Sequence, residues 1–158
     1  MTGRYAQATE VPVERTRAEI EAVLAKYGAD AFGSMMDGRH ARIAFRMAGR
    51  HYRFALTLPD PAEDQFNIYH QGRSTFRRTA SATADLYAQA CRSLWRALLL
   101  VIKAKLEAAA IGITSLEDEF MAAMVLSDGA TVGETMGPQL ADHYRLGGPP
   151  RLMLEARP

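Results

Sequence analysis

The sequence predicts an α+β domain: an N-terminal helix, a three-stranded antiparallel sheet, a long helix packed on that sheet and a small helical C-terminal part. Three observations carry this. Apolar residues recur at helical spacing between Thr16 and Gly28, they alternate with polar ones between His40 and Leu58, and no Pro or Gly interrupts the stretch from Thr83 to Ala110. The 158 residues suit one domain, divided into a tail at 1–13, a helix–sheet–helix core at 14–112 and a helical extension at 113–158.

"TRAEIEAVLAKYG" reads as the first helix, with Thr16 and Glu19 as a capping box. Ile20, Val23, Leu24 and Tyr27 form its apolar stripe, and Gly28 is its stop. "DAFGSMMDG" follows as a strand candidate ending at the hairpin dipeptide Asp37-Gly38. The clearest element is "RHARIAFRMAGRHYRFALTLP", in which Ala41, Ile43, Phe45 and Met47, then Tyr52, Phe54, Leu56 and Leu58, alternate with polar or small residues. With Ala48 and Gly49 as the turn, Phe45 faces Tyr52 and Ile43 faces Phe54 on the inner side. On the outer side Arg46 then faces His51, and Arg42 faces Ala55.

That outer face carries His40, Arg42, Arg46, His51 and Arg53 without a carboxylate in the hairpin. Like charges across a sheet repel, so the pattern points to an anionic partner. After Pro59, "DPAEDQFNIYHQGRSTFRRTAS" reads as a long loop in which Arg73, Arg77 and Arg78 are interleaved with Phe66, Tyr69 and Phe76. Cations for phosphates and rings for base stacking are what single-stranded nucleic acid requires.

The long helix runs from a cap at Ser81 or Thr83 to Ala110. Its expected seam against the sheet is Tyr87, Cys91, Leu94, Leu98 and Val101, and a second stripe holds Arg92 and Arg96. Trp95, Leu99, Leu100 and Ile102 fall off that seam, so the greasy centre needs a second cover. Either the C-terminal part folds back over it or a homo-oligomer interface buries those four residues. Beyond it, Ser115 starts a short helix, "LSDGATV" is a turn, and "TVGETMGPQLADHYRLG" is a helix broken or kinked near Gly137-Pro138. Met121, Met124, Met136 and Met153 read as gap fillers, and "GGPPRLMLEARP" as an extended tail.

Charge is polarised. The chain is +1 overall, but residues 39–106 are +8, flanked by −2 and −5. Such a field attracts polyanions, and the alternative is intramolecular, with the acidic C-terminal part lying against the basic middle. Composition and motifs exclude much else. The apolar run from Ala97 to Ile102 is too short for a bilayer, the N-terminus lacks a signal-peptide pattern, and the lone Cys91 fits a reducing cytoplasm. There is no phosphate-loop, nucleophile-elbow or zinc-protease motif, so no catalytic residue, metal or cofactor is assigned.

The stretches "VPVERTRAEIEAVLAKYGA", "RMAGRHYRFAL", "WRALLLVIKAKLEAAAIGITSLEDEF" and "VLSDGATVGE" resemble a family of small uncharacterised proteins encoded in tailed-phage and prophage genomes. The resemblance implies a host-cell cytoplasmic setting and a place in DNA replication or recombination, or in blocking a host protein. In outline the element order is similar to double-stranded RNA-binding domains and to the core of phage annealing proteins. "GRSTFRRTASATADL" lacks the lysine-rich helix start of the former, and the chain is short for the latter. The leading expectation is a non-enzymatic nucleic-acid-binding accessory protein, single-stranded DNA or RNA favoured, using Arg42, Arg46, Arg53, His51, Arg73, Phe76, Arg77, Arg78, Arg92 and Arg96. The alternative is an inhibitor that binds a host protein.

Overall fold

A computed structural model describes residues 9–147. The reading of 147–158 as an extended tail lies, from residue 148 onward, outside the described residues, as does that of Met153 as a gap filler. In chain order the elements are α1 (Val13–Lys26), β1 (Ala29–Asp37), β2 (His40–Met47), β3 (Arg50–Thr57), α2 (Asp64–Asn67), β4 (Ile68–Gln71), β5 (Ser74–Arg77), α3 (Ala80–Ala110), α4 (Leu116–Phe120), a 3₁₀ turn (Met121–Ala123) and α5 (Val132–Leu146). The fold is the expected α+β arrangement, with α1 and α3 against one face of an antiparallel β1–β2–β3 sheet.

Register follows from the two-residue turns. Phe45 pairs with Tyr52, Ile43 with Phe54, Arg46 with His51 and Arg42 with Ala55, as the alternation predicts. Ala41, Ile43, Phe45, Met47 and Tyr52 are buried, so the period-two pattern is a burial pattern. Ala48 sits at φ +52 and Gly49 at φ +73. A turn with both central residues left-handed matches the twist of the strands, but an alanine there carries a Cβ penalty. Ala48→Asn is expected to raise stability by about 1 kcal/mol, seen as a melting temperature about 2–4 °C higher. An unchanged melting temperature in scanning calorimetry would contradict this strain.

Two helix starts differ from expectation. Helix α1 begins at Val13 with Pro12 as its N-cap and no side-chain cap; Thr16 is buried inside the helix and its hydroxyl has no hydrogen-bond partner, so the Thr16–Glu19 box does not form. Pro is at ease at a helix start because its missing N–H would be an orphan there. Helix α3 is capped by Thr79, whose hydroxyl accepts from the Ala82 amide, and not by Ser81 or Thr83, the two expected caps.

The seam of α3 is rotated by one residue from the expected one. Trp95, Leu98, Leu99, Ile102 and Leu106 are buried, whereas Val101 is 44% exposed and Tyr87, Cys91 and Leu94 are half-buried. Trp95, Leu99 and Ile102 therefore belong to the chain's own core, together with Ile20 and Leu24 of α1 and Phe120 of α4. The second cover that α3 needs is supplied by α1 and α4, and the reason for a homo-oligomer interface at these residues falls away. Of the four, only Leu100 stays at the surface, 36% exposed.

The C-terminal part wraps the edge of β3. Ser115 caps α4 through the Asp118 amide, Phe120 enters the core, and the Val125 amide donates to the His51 carbonyl at 2.8 Å. Helix α5 opens on a capping box between Thr131 and Glu134 and continues through Pro138 as one helix, so of the break or kink expected there, the break does not occur. Gly133 in its first turn is a close approach: a Cβ there would lie 2.9 Å from the Ala122 carbonyl oxygen.

Candidate nucleic-acid interface

The outer face of the sheet does not present the free arginines that the hairpin suggested. Its carboxylates arrive from other elements. Arg46 donates to Asp30 of β1 at 2.7 Å, and Arg53 donates to Glu134 of α5 at 2.7 Å and to the Gly129 carbonyl at 2.8 Å. Arg50 pairs with Glu117, and on the helical side Arg96 pairs with Glu19 and Lys105 with Glu119. Arg92 is held by the Thr9 carbonyl and the Gln89 side chain. So the acidic flanks neutralise five cations of the basic middle, and the intramolecular alternative accounts for much of the charge split. On this face Arg42 keeps no carboxylate among the described residues; it stands between Met35 and Ala55, above Gly33 and Ala44. His51 lies across from Arg46.

These pairs leave electrostatic signatures. The Asp30 carboxyl is held below the usual carboxylate range, first by the hydrogen bond from Arg46. That of Glu134 is held down first by the Thr131 amide and then by Arg53. A carboxylate depressed in the fold stabilises it above the unfolded pKa, and that contribution is lost as pH falls through the folded value. Acid should therefore loosen α5 from β3. In an NMR titration Glu134 should ionise below an ordinary glutamate, and Arg53→Gln should move it only part of the way back because the Thr131 amide remains. An unchanged titration in Arg53→Gln would remove Arg53 from this account.

The expected loop at 60–81 is a correction of another kind: it contains α2, a two-stranded ribbon, β4–β5, turning at Gly72-Arg73, and the first residues of α3. Its base is fastened. Phe66 is buried against Tyr87 in an edge-to-face contact at 5.7 Å, Thr83 donates to the Phe66 carbonyl, the Asn67 amide donates to the Pro61 and Glu63 carbonyls, and the Arg78 amide donates to the Asn67 carbonyl. Beyond this base the ribbon stands in solvent, and β5 is exposed along its whole length.

The exposed part combines the residue types a polyanion with flat bases would meet. Tyr69 and Phe76 are cross-strand partners, stacked with centroids 5.4 Å apart at 25°, and are 39% and 43% exposed. The Arg78 guanidinium lies 5.3 Å from the Tyr69 ring centre, so it braces the stack as a cation–π partner. Arg73 at the turn and Arg77 across from Ile68 have no carboxylate partner among the described residues. Helix α3 starts immediately after, with no acidic residue in its first turn to offset the positive end of its dipole.

The sequence-derived residues thus divide. The ribbon gathers Arg73, Phe76, Arg77 and Arg78 and adds Tyr69, whose place across from Phe76 the alternation of "IYHQGRSTFR" around Gly72 could have shown. Arg46, Arg53, Arg92 and Arg96 are engaged in holding the fold. Among the described residues no three His, Cys, Asp or Glu side chains are grouped to hold a metal ion, and no helix is long and apolar enough to cross a membrane. Comparison with protein-family models, curated proteins and solved structures yields no match.

Proposed function

We propose that the protein binds single-stranded nucleic acid through the β4–β5 ribbon, with Arg73 and Arg77 on phosphates and the Tyr69–Phe76 pair offering a ring face to an unstacked base. The observation that carries this is the exposed ring stack flanked by arginines without carboxylate partners. Two stacked rings left in water at the surface cost burial that a partner would recover. A duplex hides the base faces that such rings engage, which favours a single strand. Phosphate and stacking contacts carry little sequence information, so binding is non-specific. The resemblance to small phage-encoded proteins makes an accessory role in DNA replication or recombination the setting we propose, in the cytoplasm of a host cell.

The test is fluorescence anisotropy of a labelled oligothymidylate with purified protein across a salt series. Binding should weaken linearly in log affinity against log salt, with a slope of about 0.7 per phosphate engaged. Absence of salt-dependent retention would sink the reading.

A further inference from the structure

We propose that the free edge of β1 binds an extended peptide segment of another protein, in which a Lys or Arg is flanked, two residues away on each side, by apolar residues of valine or leucine size. The first support is backbone geometry. Strand β1 is an edge strand: β2 takes one side, and no other strand pairs with it among the described residues. Because Asp37 and His40 flank the two-residue turn, they form a hydrogen-bonded pair, so odd-numbered residues of β1 bond to β2. The amides and carbonyls of Phe32, Ser34 and Met36 therefore point outward. Residues 31–36 read Ala-Phe-Gly-Ser-Met-Met, without the Pro or Lys that usually protects an edge, and no strand or helix among the described residues lies along it as a pairing partner.

The second support is a trough beside that edge, between β1 and α1. Two depressions of about 160 Å³ and about 220 Å³ lie end to end, sharing Glu21 and Phe32 in their walls. Ala25 borders the first and Ala18 the second, and these small side chains leave the space open. A strand laid along the edge places every second side chain on this face, about 7 Å apart. One apolar side chain would then enter each depression, with the residue between them at Glu21.

Charge selects the occupant. Neither Glu14 nor Glu21 has a cationic partner among the described residues, while Arg17, the cation in the trough, is engaged by the Ser34 hydroxyl and lies 5.8 Å from the Trp95 ring centre. A basic side chain completes Glu21. A second copy of this chain fits less well, since two-fold pairing of β1 with β1 would set two acidic α1 faces side by side. Strand addition of this kind draws affinity from main-chain bonds and selectivity from alternate side chains.

The probe is a fluorescein-labelled peptide, Gly-Ser-Val-Thr-Lys-Thr-Val-Ser-Gly, read by anisotropy with the full chain. Saturable binding is expected, at least roughly tenfold weaker when Glu replaces the central Lys. Glu21→Lys, at an exposed helix position, should reverse that preference. Ser34→Pro removes an outward amide while leaving the ladder to β2 intact, as edge strands tolerate, and should abolish binding with an unchanged circular dichroism spectrum. If that variant fails to fold, a probe N-methylated along its backbone replaces it, and tenfold weaker binding of that probe is the expected result. No binding at about 1 mM peptide, binding indifferent to both backbone blocks, or an unaltered preference in Glu21→Lys overturns the proposal. So does a dimer that Ser34→Pro dissociates in the absence of peptide binding, which would mean self-pairing.

Discussion

Phe76→Ala is expected to weaken oligothymidylate binding by about 1–3 kcal/mol, the range for losing one base–ring stack, while the slope of log affinity against log salt stays the same. The ring is exposed and outside the core, so the melting curve should hardly move. Arg73→Gln with Arg77→Gln should act the opposite way, flattening the slope by about 0.7 for each phosphate that is no longer neutralised. Arg46→Gln with Arg53→Gln is the control. Those guanidinia are tied to Asp30 and Glu134, so their loss should disturb the sheet's attachment to α5 and leave the salt slope alone. If the sheet pair flattens the slope and the ribbon pair does not, the site lies on the sheet and the proposed function must move with it.

Phe120→Ala should cost about 3–5 kcal/mol of stability. The ring of Phe120 is buried and meets three others edge-on, Phe45 at 5.8 Å, Tyr52 at 5.6 Å and Phe54 at 6.0 Å. It is the one fully buried side chain that the described C-terminal part contributes to the core. Urea denaturation should show the loss, and amide exchange at Val125, bonded to His51, should accelerate in the variant beyond the change at Tyr52. A cost under about 1 kcal/mol would mean that the sheet closes over the gap and that α4 is not what secures the extension.

How far the fold was legible depends on which signals are local. The sheet register could be read because a strict period of two puts Ile43, Phe45, Tyr52 and Phe54 on one face, and even the longer bulged turn that Ala48-Gly49 left open would have had to keep that parity. The orientation of α3 could not. Leu98, Leu99, Leu100, Val101 and Ile102 are apolar all round, so periodicity cannot choose which of them faces inward, and the packing of α1 and α4 decides it. The ion pairs were hidden for a different reason. Arg53 and Glu134 lie 81 residues apart, and Arg96 and Glu19 lie 77 apart, separations at which sequence pattern carries no pairing information. The ribbon escaped because four-residue strands exposed on both faces bury almost nothing, and burial is what makes alternation visible.

Helix α3 closes on α1 across a great length of chain, with the Tyr27 hydroxyl donating to Glu107 80 residues away, whereas β1–β2–β3 is made of neighbours. The two kinds of contact form on different clocks. Hairpins with tight turns zip in about 1–10 microseconds, but a small sheet without a packed face does not persist in water. The barrier to folding is therefore reached when α3 arrives on the meander and closes the large loop. Trimming Leu99 should slow refolding, because its contacts belong to that arrival. Trimming Tyr87, which fastens the ribbon's base through Phe66, should chiefly hasten unfolding. The ribbon would then be the last segment to settle and the first to open, free to rearrange around a strand while the sheet and its two helices stay assembled.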